Sequence, residues 1–204
     1  MIEKLTQDAL IIWATIDPIG TMALFAALTA HLTPTERRRT AFKAIGYAAL
    51  VLIGSIVVGQ VILSAMGIRL VSFQIAGGII LFLFGLQMIF SSDSPQATKE
   101  PEHDMAVFPL AIPATATPGA ILAVILLTDN QAYPITAQIG TGLIVLCILA
   151  VTLVLLLLSE WIIKIIGTSG ASILVRVMGI ILAALSVELV MNALSIGQWV
   201  QPAP

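Results

Sequence analysis

The sequence predicts an all-α membrane protein of about six transmembrane helices, arranged as two inverted three-helix repeats with broken first and fourth helices. Three observations carry this reading. First, 59% of the 204 residues are hydrophobic and only 10% are charged, with a mean hydropathy of +1.08. Soluble domains carry about 25% charged residues, so a water-facing surface cannot be covered here. Second, the apolar residues gather into runs of the length that spans a bilayer, about 20 residues. Third, a proline–glycine break recurs in the first and fourth runs, 100 positions apart.

The runs cover about residues 8–30, 44–66, 71–90, 106–128, 136–163 and 172–194. The first contains Asp17-Pro18-Ile19-Gly20 near its middle. Its N-terminus, Met-Ile-Glu-Lys, lacks a basic signal-peptide leader and a small-residue cleavage site, so the run is expected to be retained. Before the second run, Thr33-Pro34-Thr35-Glu36 forms a capping box with proline at the first helical position. That predicts a helix beginning in water, with Arg37, Arg38, Arg39 and Lys43 outside the hydrocarbon. The third run ends at the one linker-like stretch. The halves are therefore residues 1–92 and 106–204, joined by a polar linker over 93–105.

The fourth run, Phe108-Pro109-Leu110-Ala111-Ile112-Pro113-Ala114-Thr115-Ala116-Thr117-Pro118-Gly119, holds three prolines, too many for a regular helix. In the fifth run Cys147 stands alone, which excludes an internal disulfide and predicts a small apolar filler. Ser55-xxx-Gly59 and, in the sixth run, Gly179-xxx-Ala183 are small-residue pairs suited to close helix packing.

The halves correspond in order. Asp17-Pro18 falls opposite Thr117-Pro118, Gly67 opposite Gly167, Gly78-Ile79-Ile80-Leu81 opposite Gly179-Ile180-Ile181-Leu182, and Gln87 opposite Glu188. Three spans per half is an odd number, so the second half enters the membrane from the other side, as in many secondary transporters. Placing both termini outside puts Arg37, Arg38, Arg39, Lys43, Lys99 and Lys164 inside, with Arg176 near them. Only Lys4 and Arg69 remain outside, which satisfies the positive-inside rule.

A helix break at mid-membrane is tolerated only where protein buries it or a cavity uses it. It exposes a half-helix N-terminus whose N–H groups and dipole suit a carboxylate. Asp17, Pro18, Ile19 and Gly20 form one candidate binding break; Thr115, Thr117, Pro118 and Gly119 form the other. Asp17 has two compatible roles: to bind a substrate ammonium or coupling cation, and to cap the half-helix that follows it. Glu188 and Asn192, four apart on one helical face, are further coupling-ion candidates. Gln60 and Gln74 are placed to join helices by hydrogen bonds.

The net charge of −2 gives no sign of nucleic-acid binding. His31 and His103 are far apart and form no metal pattern. A phosphate-binding loop, a His-Glu-x-x-His motif and a Gly-x-Ser-x-Gly elbow are all absent. No enzyme, metal or organic cofactor is expected; the partners are the lipid bilayer, a small-molecule substrate and, through self-association, a second copy of the chain.

Taken together, Asp17-Pro18-Ile19-Gly20, Leu32-Thr33-Pro34-Thr35-Glu36-Arg37-Arg38, Phe73-Gln74-Ile75-Ala76-Gly77-Gly78-Ile79, Pro109-Leu110-Ala111-Ile112-Pro113, Thr117-Pro118-Gly119-Ala120 and Arg176-Val177-Met178-Gly179 resemble the MarC family of bacterial inner-membrane proteins over essentially the whole chain. The resemblance implies a transporter-like fold in the inner membrane and a grouping with transporters of small neutral amino acids such as alanine and glycine; the outer termini are then periplasmic, and a proton or sodium gradient is the expected coupling. It also leads one to expect an arginine at the position of Gln74 and an acid near Gln87. This chain has neither, and its acid stands on the sixth helix as Glu188. The competing expectations are a channel, a lipid-handling protein, a non-transporting scaffold, and an exporter of other small metabolites or drugs.

Overall fold

The helices that begin at Pro18, Pro34 and Pro118 start where proline removes a donor and a side chain supplies a cap. The computed structural model describes residues 2–90 and 106–194, and those residues are helical, with no strand among them. The expected polar linker over 93–105 lies outside the described residues, as does Lys99.

Helix α1 (Ile2–Ile16) stops at Asp17, whose backbone takes the left-handed conformation (φ 48°, ψ 70°). Pro18, which has no N–H to give, then opens α2 (Pro18–Leu28) at its first position. Helix α2 ends where the Thr29 hydroxyl donates to the Phe25 carbonyl at 2.6 Å. Helix α3 (Pro34–Ala65) begins with the expected capping box: the Glu36 N–H donates to Thr33 Oγ1, and the Thr33 N–H to Glu36 Oε2. Gly67 (φ 67°) turns the chain into α4 (Leu70–Phe90).

The second half opens differently. Ala106–Thr115 is a π-helix. Pro109 and Pro113 withhold two N–H groups from any α-helical ladder here, and the turn widens. Accordingly the Ala116 N–H donates five residues back, to the Ala111 carbonyl at 2.8 Å. After the break comes α5 (Pro118–Leu127), and then α6 (Ile135–Ala193), which is two helical limbs meeting at Gly167 (φ 73°, ψ 166°). Gly67 and Gly167 thus share a positive φ, which glycine adopts without steric cost.

Among the described residues, five helical stretches are long and apolar enough to cross a membrane: Glu3–Ala26, across the break at Asp17, Pro34–Ala65, Leu70–Phe90, Ile135–Ile162 and Val175–Ala193. Of the fourth expected run, Pro118–Leu127 is a shorter apolar helix, preceded by the π-helix over Ala106–Thr115.

The halves interlock. Helix α3 packs on the π-helix and α5 of the second half, while α1 and α2 pack on α6. Gly59, from the predicted small pair, approaches Ile125 so closely that a Cβ there would lie 2.6 Å from its Cδ1. Helix α4 runs antiparallel to the second limb of α6. Gly78 faces Ser186 and Val190, while Gly85 faces Gly179 and Ala183, the other predicted small pair. Ile12, Ile16, Phe25, Leu110, Val145 and Leu149 form part of the buried core. Large apolar side chains cover the outside instead, among them Leu50, Val61, Leu83 and Ile180, as a lipid-facing surface requires. Cys147 belongs to that exposed surface and not to the packed interior.

Candidate functional site at the crossing of two broken helices

The breaks are built alike. The Gly20 N–H donates to Asp17 Oδ1 at 3.1 Å, and the Ala120 N–H donates to Thr117 Oγ1 at 2.8 Å. Each cap is followed by proline, 100 positions apart, although the Asp17 backbone is left-handed and that of Thr117 is extended (φ −64°, ψ 155°). The N–H groups of Ile19 and Gly119 lie in these first turns, where an α-helix has no intrahelical acceptor.

The two breaks also meet. The Thr117 hydroxyl donates to the Thr15 carbonyl at 2.8 Å, and the Thr21 hydroxyl donates to the Ala114 carbonyl at 3.0 Å. The second acceptor follows from the sequence: Ala114 stands four residues before Pro118, which has no hydrogen to offer it. Residues 15 and 21 therefore face 117 and 114, so the broken helices cross antiparallel. Asp17, Thr21, Thr115 and Thr117 are all buried at this crossing. The Thr115 hydroxyl turns back to the Leu110 carbonyl at 2.8 Å, inside its own π-helix. Gly20 has a steric role too, because a Cβ there would fall 2.0 Å from Asp17 Oδ2.

This gathers the predicted residues from two distant segments: Asp17, Pro18, Ile19 and Gly20 with Thr115, Thr117, Pro118 and Gly119. Glu188 and Asn192 are elsewhere, on the exposed face of α6, where Asn192 Nδ2 donates to Glu188 Oε1 at 3.1 Å. Gln60 and Gln74 join helices as expected. Gln60 donates to the Ile125 and Thr128 carbonyls (3.3 and 3.1 Å), and Gln74 to the Leu189 carbonyl (2.9 Å).

Two polar clusters at the ends of the molecule escaped the sequence reading. Lys4, taken there only as an outer charge, donates to Asp8 Oδ2 at 2.5 Å, to the Leu127 carbonyl at 3.2 Å and to Thr141 Oγ1 at 3.3 Å. Its ammonium also lies 4.1 Å from the centre of the Tyr133 ring. The available signal was the i, i+4 spacing of Lys4 and Asp8. Arg37, taken as a topology charge, is largely buried. It pairs with Glu160, donates to Ser159 Oγ at 3.0 Å and sits over the Phe25 ring. No spacing rule links residues 37 and 160. Among the described residues, no three His, Cys, Asp or Glu side chains gather as metal ligands.

Comparison with known proteins places this architecture. Residues 2–197 match the family model described as MarC family integral membrane protein. The UPF0056 inner membrane protein YhgN of Escherichia coli (strain K12) is 32% identical over 195 residues, 94% of this chain and 96% of the relative. UPF0056 membrane proteins of Methanocaldococcus jannaschii and of Buchnera aphidicola from Schizaphis graminum are 34% and 29% identical, over 90% and 94% of this chain and 92% and 96% of theirs. No solved structure matches the chain.

Proposed function

The chain belongs to the MarC family of integral membrane proteins, and we propose that it is a secondary transporter of small neutral amino acids, alanine- or glycine-like, working by alternating access. The observation that carries this reading is the reciprocal crossing of the two breaks. Buried breaks in apolar helices are costly unless they are used. Here they bring two helix N-termini and two proline- or break-adjacent carbonyls to one place. A zwitterion complements that set. Its carboxylate takes the first-turn N–H groups, Ile19 and Gly119 among them. Its ammonium takes Asp17 and the Thr15 and Ala114 carbonyls, which Thr117 and Thr21 occupy in the closed form.

The halves act as inverted three-helix repeats that rock about this crossing. The antiparallel pairing of α4 with the second limb of α6 supports that relation, as do the side-chain caps at 17 and 117 and the positive φ shared by Gly67 and Gly167. The basic residues near the start of α3 favour an orientation with both termini periplasmic, in the inner membrane as the name of the E. coli relative states for that protein. A proton or sodium gradient drives the cycle, and the chain performs no covalent chemistry.

The test is uptake of labelled alanine and glycine by proteoliposomes, with and without imposed proton and sodium gradients. Saturable, stereoselective, gradient-dependent flux is expected, lost in Asp17→Asn protein that still folds. Absence of flux with every gradient overturns the assignment.

A further inference from the structure

We propose that Asp8, Thr141 and the Leu127 carbonyl form a seat for a primary ammonium group, that Lys4 fills it as an internal ligand in the closed form, and that the ammonium of the substrate displaces Lys4 on the way to the crossing. The inference rests on the transport reading for its role. The chemistry of the seat stands apart from it.

The seat is matched to R–NH3⁺. A primary ammonium has three hydrogens, and three oxygens surround Lys4 Nζ: a carboxylate at 2.5 Å, a carbonyl at 3.2 Å and a hydroxyl at 3.3 Å. The Tyr133 ring covers the same charge at 4.1 Å, a contact that attracts cations by the ring quadrupole. Each group suits a cation for its own reason. Leu127 is the last residue of α5, where carbonyls lack intrahelical donors and the dipole end is negative. Thr141 Oγ1 is itself oriented, donating to Asp8 Oδ2 at 2.6 Å. Asp8 and Thr141 are 1% and 0% exposed, whereas the Lys4 side chain retains 19%. The fixed walls are therefore buried, and the occupant is the part that reaches the outside.

Position supplies the role. The seat joins α1, from the first half, to α5 and α6, from the second. Rocking the halves apart at this end requires the ammonium to leave the Leu127 carbonyl and the Thr141 hydroxyl, while Asp8, on α1 with Lys4, moves with it. Asp8 lies nine residues before Asp17 on α1, about 13 Å along a helix rising 1.5 Å per residue. An incoming amino acid meets this seat first. By replacing the Lys4 ammonium with its own, it frees the Lys4 side chain without leaving Asp8 buried and unpaired.

The experiment is chemical rescue. Lys4→Ala removes Cγ, Cδ, Cε and Nζ, the same four heavy atoms that n-propylammonium supplies. The purified Lys4→Ala protein in detergent is melted with n-propylammonium, tetramethylammonium or sodium chloride at equal ionic strength. At about a hundred times its dissociation constant, propylammonium is expected to raise the melting temperature by at least about 3 °C. Tetramethylammonium, with no N–H, and sodium are expected to do less, and Lys4→Ala/Asp8→Asn should show no selective gain. Equal effects of propylammonium and tetramethylammonium overturn the seat. A second arm needs no variant: acylation of the Lys4 amine by a water-soluble ester is followed by mass spectrometry in the wild-type protein. Because the amine of alanine also consumes the ester, the readout is Lys4 labelling relative to that of exposed Lys164; alanine is expected to raise this ratio several-fold, while an unchanged ratio overturns the displacement step. Failure of the transport reading shows instead as absent flux in proteoliposomes, which leaves the rescue result standing.

Discussion

Thr117 joins its own helix to the opposite half of the chain: its hydroxyl oxygen accepts the Ala120 N–H, and its hydroxyl hydrogen goes to the Thr15 carbonyl, both at 2.8 Å. One atom therefore caps α5 and closes the crossing. Thr117→Val keeps the shape and removes both bonds. The lost cap costs about 1 kcal/mol, and the buried Thr15 carbonyl left without this donor adds about 1–3 kcal/mol. Thr117→Ser keeps the hydroxyl and is expected to lose less than half as much. Melting temperatures in detergent check the order; equal losses in the two variants count against the double role.

Gly20 is required by the Asp17 carboxylate, and this gives a sign reversal to look for. An alanine at 20 places its Cβ 2.0 Å from Asp17 Oδ2, so the carboxylate must move and the cap is lost, at a cost of about 1 kcal/mol or more. In an Asp17→Gly background the obstacle is gone, as is the side chain held at φ 48°. There Gly20→Ala should stabilise α2 by up to about 1 kcal/mol, the usual advantage of alanine over glycine in a helix. The four proteins form a double-mutant cycle. Additive effects of the two substitutions are the outcome that rejects the contact.

Both breaks were legible in the sequence because proline and glycine act locally: Pro18 and Pro118 withhold an N–H wherever the chain goes. The capping box at Thr33 and the turns at Gly67 and Gly167 were readable for the same reason. The reciprocal bonds of Thr21 and Thr117 were not, since they depend on how two helices 100 residues apart cross. The π-helix over 106–115 was visible only as an excess of proline. The partners of Lys4 and Arg37, Glu160 among them, were not legible for a different cause. Charges at the ends of apolar runs are usually solvated, and only tertiary packing shows that Arg37 is covered by Phe25 and Ser159. Cys147 illustrates the converse: an apolar stretch does not say which face lipid will take.

The ion pair between Arg37 and Glu160 is lopsided, with side chains 10% and 62% exposed. Removing the carboxylate strands a mostly buried guanidinium, whereas removing the guanidinium leaves a carboxylate that solvent already reaches. Glu160→Gln is therefore expected to destabilise more, by about 1–3 kcal/mol after allowing for the exposed partner. Arg37→Gln should cost about 1 kcal/mol or less from the pair itself, plus the lost bond to Ser159. Exchanging the two charges should not restore stability, because it buries a carboxylate beside Phe25. Thermal melts of the three proteins decide this, and a larger loss in Arg37→Gln than in Glu160→Gln contradicts the burial argument.

Helix α4 meets the second limb of α6 through glycine against glycine. A Cβ on Gly85 would lie 2.9 Å from both the Gly179 carbonyl and the Ala183 nitrogen, and one on Gly179 would lie 2.8 Å from the Gly85 carbonyl. These neighbours are backbone, so no side chain can swing aside and the helices must separate. Close packing then loses dispersion contacts along the whole seam, which in lipid is a main source of helix association. Gly85→Ala is expected to cost about 1–3 kcal/mol, in the range of overpacked interiors, and Gly85→Leu more. Gly46 on α3 is the control, with nothing within 4 Å of a built Cβ. There Gly→Ala should be neutral or stabilise by up to about 1 kcal/mol through helix propensity alone. Melting temperatures of Gly46→Ala and Gly85→Ala should therefore move in opposite directions or differ by several degrees. If they shift together, the glycine seam is not what holds α4 to α6.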